Sequence, residues 1–378
     1  MSKGKLLITG ATGYVGSAIL IGALREGYDA HIVVRSAAKE QFLKDAPAIA
    51  GLGKQAQCKY FVVPDLTVPG CLDEAAAGAN LVIHAAAPLP GTEATLDREE
   101  AEIIQPAISI TLNCLESARK VGTVKRVICL SSLAAFTRQA FFRNEVPTEE
   151  PVMLSPETVS DYWTPPYGGG LLTYSAAKTA ALRRSLEWTR EAVASSEGLG
   201  FDVIYTAFAY VIGRHPLAEN VGDLFSGSNA LILRSAVGTE SSDIPEMSGG
   251  VHIDDVVKVH LKALDLDSVK TPAEGPNTNI DILTFSVLWN YDDINAAVER
   301  LFPEQVKQGL LPNQGHFKAR PGSIVDTSRA EKVCKIEHWK GLEEQLQSAL
   351  SQYLELLAKE KGKGPGNHKI WQTTARDQ

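Results

Sequence analysis

The residues of this chain best suited to proton transfer are a tyrosine and a lysine four positions apart, in the segment Tyr174-Ser-Ala-Ala-Lys178. The surrounding pattern predicts a helix over 173–194, and residues at i and i+4 share one helix face. An ammonium beside a phenol stabilises the phenolate, so Tyr174 is a candidate proton donor to a carbonyl oxygen that receives a hydride. Pairs with this spacing are common on helices, and the interpretation depends on the motifs around them.

Ser132 follows the apolar segment 126–131, whose pattern predicts a β-strand. Open α/β sheets bind ligands at the carboxyl ends of their strands, so we expect the Ser132 hydroxyl to contact the substrate oxygen beside Tyr174. The predicted catalytic residues are therefore Ser132, Tyr174 and Lys178.

A glycine-rich turn separates a predicted strand at 5–9 from a predicted helix at 14–26. Glycine tolerates positive φ and lets the backbone approach a pyrophosphate, while the following helix presents free N–H groups and its positive dipole end. This strand–turn–helix context predicts a dinucleotide site. Its phosphate-binding residues are expected to be Gly10, Thr12, Gly13, Tyr14, Val15 and Gly16.

The end of the second predicted strand, at 30–35, indicates which dinucleotide binds. NAD-binding folds usually offer a carboxylate there, whereas this chain has Arg35, with Lys39 close by. A guanidinium pairs well with a 2′-phosphate, so the sequence favours NADPH/NADP⁺ over NAD(H). The alternative interpretation is that Arg35 and Lys39 are ordinary solvated charges.

The pattern of the whole chain predicts an α/β fold. Short apolar segments alternate with helical ones, which indicates a Rossmann-type, doubly wound parallel sheet with a smaller C-terminal substrate-binding lobe. We predict a dinucleotide-binding domain over 1–208, a mainly substrate-binding lobe over 209–360 with segments returning to the sheet, and a disordered tail over 361–378. The further strands are predicted at 59–63, 80–85 and 201–208, and the further helices at 99–120, 254–266, 291–302 and 341–357.

Residues 137–172 are rich in proline, glycine and acidic residues and predict a long loop directly before Tyr174. Such a loop is expected to form a wall or lid of the substrate pocket. Candidates for an aromatic lining of that pocket are Phe136, Trp163, Tyr167 and Tyr210, although ordinary core packing is an equal alternative for each.

Composition limits the partners of the chain. A net charge of −8 argues against nucleic acid or an anionic membrane surface, and no apolar segment is long enough to span a membrane. The five cysteines are scattered without CxxC spacing, which is typical of reduced thiols and favours a cytoplasmic location. His84 and His252 lack ligand spacing, so no metal site is expected.

These motifs together resemble the extended short-chain dehydrogenase/reductase family, also called the NAD-dependent epimerase/dehydratase family, and within it the dihydroflavonol reductase-like and aldehyde/methylglyoxal reductase-like branch. The resemblance spans about 5–357 and rests on GATGYVG at 10–16, VVRSAAK at 33–39, HAAAP at 84–88, LSSLAA at 130–135, YSAAK at 174–178 and VHIDDVVKVH at 251–260. It implies hydride transfer to a ketone or aldehyde, with Ser132, Tyr174 and Lys178 as the catalytic triad and Lys178 also on the nicotinamide ribose. It further implies that Asp65 and Leu66 lie by the adenine and that Ala85, Ala86 and Ala87 line the cofactor cleft.

The chain departs from the family pattern at Ala207-Phe208-Ala209, where prolines usually shape the nicotinamide pocket.

Two other functions are compatible with the fold. A sugar-nucleotide epimerase or dehydratase would use the same tyrosine and lysine with NAD, and Arg35 counts against it; a non-catalytic dinucleotide-sensing protein would not need Tyr174 and Lys178. The prediction is thus an NADPH-dependent reductase of a small-molecule carbonyl, monomeric or homodimeric, with a bulky polyketide-type ketone of secondary metabolism as the favoured substrate.

Overall fold

The computed structural model describes residues 2–88, 97–143, 152–238, 241–273, 275, 277–320 and 323–361. Its strands are β1 Lys5–Thr9, β2 Asp29–Val34, β3 Cys58–Val62, β4 Leu81–His84, β5 Arg126–Leu130, β6 Met153–Leu154, β7 Asp202–Phe208, β8 Tyr210–Ile212, β9 Ser241–Met247, β10 Gly250–His252, β11 Ile280–Phe285, β12 His316–Arg320 and β13 Ile324–Val325. Its helices are α1 Tyr14–Glu26, α2 Ala37–Asp45, α3 Pro47–Ala50, α4 Asp73–Ala76, α5 Gln105–Val121, α6 Gln139–Phe142, α7 Gly170–Ala194, α8 Val221–Leu224, α9 Asn229–Val237, α10 Ile253–Leu264, α11 Tyr291–Leu301, α12 Pro303–Lys307, α13 Ser328–Cys334 and α14 Leu342–Lys361.

Within the described residues, seven strands form one parallel sheet in the order β11-β7-β5-β4-β1-β2-β3. The chain runs outward from β1 to β3 and then restarts at β4 on the other side of β1. This reversal leaves a crevice outside the carboxyl ends of β1 and β4, which is where doubly wound sheets bind their ligands. The predicted Rossmann-type fold is confirmed.

Both faces of the sheet are buried, which explains why its strands are continuous apolar runs rather than alternating ones. Leu6 and Ile8 of β1 pack with α1 and α10 on one face, whereas Leu7 packs with α5 and α7 on the other. α10 lies close against α1 because Gly22 has no side chain; a Cβ there would lie 2.8 Å from Val257 Cγ1. The segment after residue 208 therefore contributes α10, as well as β11, to the layers around the sheet.

The structure corrects the sequence prediction at three places. β11 was not predicted, yet Ile280–Phe285 forms the edge of the sheet and pairs with β7. The stretch 137–172 is not loop throughout, because α6 and the two-residue strand β6 lie in it and α7 begins at Gly170; residues 144–151 lie outside the described residues. The last helix continues to Lys361, beyond the predicted end at 357, and the rest of the predicted tail, 362–378, lies outside the described residues. The predicted domain boundary at residue 208 stays a prediction.

Two of the buried histidines, His84 in β4 and His260 in α10, have strongly lowered pKa values. Nε2 of His260 lies 3.0 Å from Thr206 Oγ1, and its Nδ1 lies 2.7 Å from the Val256 carbonyl oxygen. Nδ1 of His84 lies 2.9 Å from Thr9 Oγ1. Burial lowers the pKa of His260 to about 4, and burial together with the charge of Lys178 lowers the pKa of His84 to about 3. Both rings are therefore neutral in the folded protein at any moderate pH.

We expect these two histidines to make the protein less stable in mild acid. An unfolded histidine has a pKa near 6.5, so below that pH the unfolded chain binds protons that the folded chain does not. The contribution of each neutral histidine to the free energy of unfolding is fully present above the unfolded pKa. It decreases as the pH falls, by about 2 kcal/mol per ring between pH 8 and pH 5. Urea titrations at the two pH values measure the free energy of unfolding. In the double variant His84→Gln/His260→Gln, the decrease in this free energy between pH 8 and pH 5 should be about 4 kcal/mol smaller than in the wild type. A double variant with the full wild-type difference would show that other groups cause it.

Candidate functional site

The glycine turn brings the end of β1 against the segment that follows β4. Gly10 has a φ of 74°, and a Cβ on it would lie 2.7 Å from the backbone of Ala85 and Ala86. A Cβ on Gly16 would lie 2.2 Å from the Gly10 carbonyl oxygen, so this position also requires glycine. Gly13 is the N-cap of α1 and offers no side-chain cap, which leaves the first N–H groups of the helix directed at the crevice. This arrangement suits a diphosphate.

The side chains of the turn have separate surroundings. Thr12 is half-buried, and Val15 packs against the core beneath the turn. The Tyr14 hydroxyl donates to the Gly213 carbonyl oxygen at 2.9 Å, and its ring stacks on His215 at 4.8 Å. Burial raises the pKa of Tyr14 well above its usual value, so it remains a hydrogen-bond donor. Tyr14 was predicted only as a phosphate-turn residue; the structure shows that its side chain joins the turn to the C-terminal part of the chain.

The residues predicted to select NADPH lie at the same edge of the sheet. Arg35 is exposed and immediately follows β2, whose neighbour in the sheet is β1. Ser36 caps α2, its Oγ accepting the Lys39 N–H at 3.3 Å. The Lys39 ammonium lies 5.1 Å from the centre of the Phe42 ring, outside the helix cap. Arg35 is thus positioned by a strand end and a capped helix, at the edge where a ligand would lie.

Asp65 and Leu66 follow β3, the strand next to β2. Asp65 Oδ1 accepts hydrogen bonds from the Thr67 hydroxyl at 2.6 Å and from the Thr67 N–H at 2.8 Å, and these lower the pKa of the exposed Asp65 carboxyl. The Leu66 carbonyl oxygen accepts from Asn113 Nδ2 of α5 at 2.9 Å. The loop after β3 is therefore fixed at the edge of the crevice.

Tyr174 and Lys178 face one cleft, together with Ala86 and Ala87 from the segment after β4. Lys178 Nζ donates to the Leu130 carbonyl oxygen at 3.1 Å, at the end of β5, and lies 5.9 Å from the centre of the Tyr174 ring. The predicted pair is therefore assembled on one face of α7 and held against the sheet. The cleft lies at the carboxyl ends of β4 and β5.

The two adjacent serines after β5 differ in their surroundings. Ser132 Oγ accepts the Ala134 N–H at 3.2 Å and caps a short 3₁₀ helix, Leu133–Phe136. Ser131 is buried and lines the cleft with Lys178, whereas Ser132 is not among the described residues that line it. Sequence reasoning missed Ser131, although the repeated serine in LSSLAA is the signal that could have suggested it. The catalytic role of Ser132 stays a prediction.

The four aromatic candidates for a substrate pocket are placed elsewhere. Phe136 is 2% exposed and packs in the core between the sheet and α7. Trp163 and Tyr167 belong to an apolar cluster between α5 and α7 and line a second cavity with Ile104. Tyr210 packs against the C-terminal cluster. Among the described residues none of the four lines the cleft of Tyr174, and their contacts agree with the alternative interpretation, core packing. A role for them in lining the substrate pocket stays a prediction.

The remaining expectations concern metal ions and membranes. In the parts of the chain that the structure describes, no group of three histidine, cysteine or acidic residues is arranged to hold a metal ion. The helices among those residues are all too short or too polar to cross a membrane.

The chain belongs to the NAD dependent epimerase/dehydratase family, whose model matches residues 6–279. Among curated proteins it is similar to the ketoreductase CTB6 of Cercospora nicotianae, at 31% identity over 96% of this chain and 98% of that protein. It is also similar to tetraketide alpha-pyrone reductase 1 of Arabidopsis thaliana, at 28% identity over 71% of this chain and 75% of that protein. The predicted family and its reductase branch are confirmed.

A solved structure shares the fold over nearly the whole chain. It is the yeast methylglyoxal/isovaleraldehyde reductase Gre2 complexed with NADPH, with a TM-score of 0.74 and 20% identity over 94% of this chain and 99% of that one. This likeness extends the fold match to the C-terminal part of the chain, beyond the residues that the family model covers.

Proposed function

We propose that this protein is an NADPH-dependent reductase of a small-molecule ketone or aldehyde. The observation that carries the proposal is the position of Tyr174 and Lys178, which face a single cleft at the carboxyl ends of β4 and β5. That cleft adjoins the glycine turn at the crevice beside β1. The proposed substrate is a polyketide-derived ketone, a class suggested by the similarity to a ketoreductase and a tetraketide alpha-pyrone reductase.

The residues at the crevice fit a dinucleotide with a 2′-phosphate. Gly10 and Gly16 keep the turn free of side chains, and the N-terminus of α1 offers N–H groups to the phosphates. Arg35 would hold the 2′-phosphate, with Lys39 as a second cation. The loop at Asp65 and Leu66 would lie by the adenine, and the groups near the nicotinamide ribose would be Ala85, Ala86, Ala87, Tyr174 and Lys178.

When bound, NADPH would supply the hydride for the carbonyl carbon and would become NADP⁺. Tyr174 donates its hydroxyl proton to the carbonyl oxygen, so the product is an alcohol and Tyr174 is left as a phenolate. Lys178, held by the Leu130 carbonyl oxygen, stabilises that phenolate until a proton is regained from solvent. Ser132 would orient the carbonyl oxygen by a hydrogen bond.

The proposal is tested by measuring NADPH oxidation across aldehydes, diketones and aromatic ketones, with NADH in parallel. Turnover with NADPH on any of these carbonyls supports it, and the preferred substrates report the size of the pocket. Conversion of a nucleotide sugar without net cofactor oxidation would instead establish an epimerase or dehydratase. The absence of dinucleotide binding would contradict both functions.

We expect Arg35→Asp to change the cofactor preference. The substitution removes paired, charged hydrogen bonds to the 2′-phosphate and adds repulsion, so the Kd for NADPH should rise about 10- to 100-fold while that for NADH changes little. Fluorescence titrations with both cofactors measure this. Arg25→Asp is the matched control, because this substitution makes the same charge change at an exposed arginine at the far end of α1. An equal loss of both cofactors in Arg35→Asp would contradict the assignment.

A further inference from the structure

Glu99 is a buried carboxylate that the proposed mechanism does not use. It lies in the connection between β4 and α5, just before the π-helical turn Glu100–Ile104, and is only 2% exposed. Its Oε1 accepts the Gly169 N–H at 2.7 Å and also accepts the Thr173 hydroxyl. Its Oε2 lies 3.4 Å from the Gly168 nitrogen, which donates to it. Because desolvation of a charge is costly, a carboxylate with this burial must be stabilised by its hydrogen-bond donors.

All three donors to Glu99 belong to the start of α7. Gly169 is the N-cap of this helix and, having no side chain, provides no cap of its own. Gly168, Gly169 and Gly170 have φ values of 105°, 78° and 51°, which glycine adopts without strain, and the N–H groups of Gly168 and Gly169 donate to Glu99. The carboxylate therefore replaces the missing N-cap from another element, and its negative charge lies at the positive end of the helix dipole.

The capped turn directly precedes the proposed proton donor. Thr173, which donates to Glu99, is adjacent in sequence to Tyr174, so the position and rotation of the first turn of α7 determine where the phenol points. Lys178 is held separately, one turn later, by the Leu130 carbonyl oxygen. We infer that Glu99 is a positioning residue for Tyr174, which fixes the start of α7 so that the phenol meets the carbonyl oxygen. This inference rests on the proposed reductase function.

The neighbouring carboxylate provides a matched control. Glu100 accepts hydrogen bonds from the Tyr167 hydroxyl and from Gln105 Nε2, the latter at 2.7 Å. Among the described residues, the N–H groups of Gly168 and Gly169 donate to Glu99 and not to Glu100. A general effect of removing a carboxylate from this connection should appear equally in Glu100→Gln and Glu99→Gln. An effect on Tyr174 should appear only in the latter.

We expect Glu99→Ala to lower kcat about 30- to 100-fold, since displacement of a reacting group by about 1 Å has an effect of this size. The Kd for NADPH should stay within about threefold, because the glycine turn and Arg35 are untouched. Glu99→Gln, which retains one acceptor oxygen, should recover about half of the loss on a logarithmic scale. Thr173→Val keeps the side-chain volume and should lower kcat by about tenfold, so it tests the contact even if Glu99→Ala does not fold.

The outcomes separate this inference from the proposed function. The positioning role would be overturned if Glu99→Gln and Thr173→Val, each folded, both kept the wild-type kcat. It would also be overturned if Glu100→Gln lowered kcat as much as Glu99→Gln does. In either case the reductase activity of the wild type would stand. A fall in kcat that is matched by an equal rise in the Kd for NADPH would also overturn it, because a general disturbance of the cleft would explain both. A wild-type protein without NADPH-dependent turnover would overturn both claims.

Discussion

Tyr174→Phe lowers kcat for the reduction of a carbonyl by roughly 100- to 10,000-fold, the range expected for loss of a general acid. The ring is kept and only the hydroxyl is removed, so the shape of the cleft between α7 and the segment after β4 should not change. NADPH should therefore bind with a Kd within about threefold of the wild-type value. Steady-state kinetics on the preferred carbonyl, together with a fluorescence titration of NADPH, measure the two quantities separately.

Two further variants make this result specific. Lys178→Ala should lose activity and cofactor affinity together, since the ammonium is proposed to hold the nicotinamide ribose as well as to stabilise the phenolate. Tyr162→Phe is the matched control, because its exposed hydroxyl donates to Glu187 Oε1 at 2.8 Å outside the cleft, and its kcat should equal that of the wild type. Near-wild-type turnover in Tyr174→Phe would remove Tyr174 from the proton-transfer step.

The parts of the site that could be predicted from sequence are those determined by local rules. A strand, a glycine turn and a helix in succession define where Gly10 and Gly16 must be, because only glycine fits the close backbone contacts found there. The spacing of Tyr174 and Lys178 likewise determines that they share a face of α7. Arg35 was locatable because it follows an apolar strand directly, and the observed end of β2 differs from the predicted one by a single residue.

The parts that could not be predicted depend on contacts between distant segments. β11 lies in a region of mixed pattern, and only its pairing with β7 makes it a strand of the sheet. Glu99 is one acidic residue among several in its segment, and nothing local indicates that it meets the start of α7, about 70 residues later in the sequence. Trp163 was chosen for its chemistry alone, whereas its packing against α5 and α7 decides its position.

Arg126 is a buried charge whose hydrogen bonds are all satisfied. It is 1% exposed at the start of β5, and Nε and Nη2 donate to the carboxylate of Asp202, at the start of β7, at 2.8 and 2.7 Å. The other donors reach the carbonyl oxygens of Ala263, Asp265 and Val269, at the end of α10 and in the segment after it. All five N–H groups of the guanidinium are thus used. The group joins three segments at the end of the sheet opposite the cleft.

We expect Arg126→Met to lower the free energy of unfolding by about 3 to 5 kcal/mol, because it removes the guanidinium donors from the Asp202 carboxylate and from three carbonyl oxygens. Urea unfolding measures this, and Arg300→Met is the matched control: the Arg300–Glu343 pair is more than half exposed on both sides, so its loss should cost less than about 1 kcal/mol. The double variant Arg126→Met/Asp202→Asn should lose less free energy of unfolding than the sum of the losses in the two single variants, since neither charged partner is then left without the other.

Because Arg126 and Asp202 lie at the amino ends of β5 and β7, away from the cleft, the folded fraction of Arg126→Met should keep the wild-type kcat and Kd for NADPH. A loss of activity greater than the loss of folded protein would show instead that the two ends of the sheet are coupled.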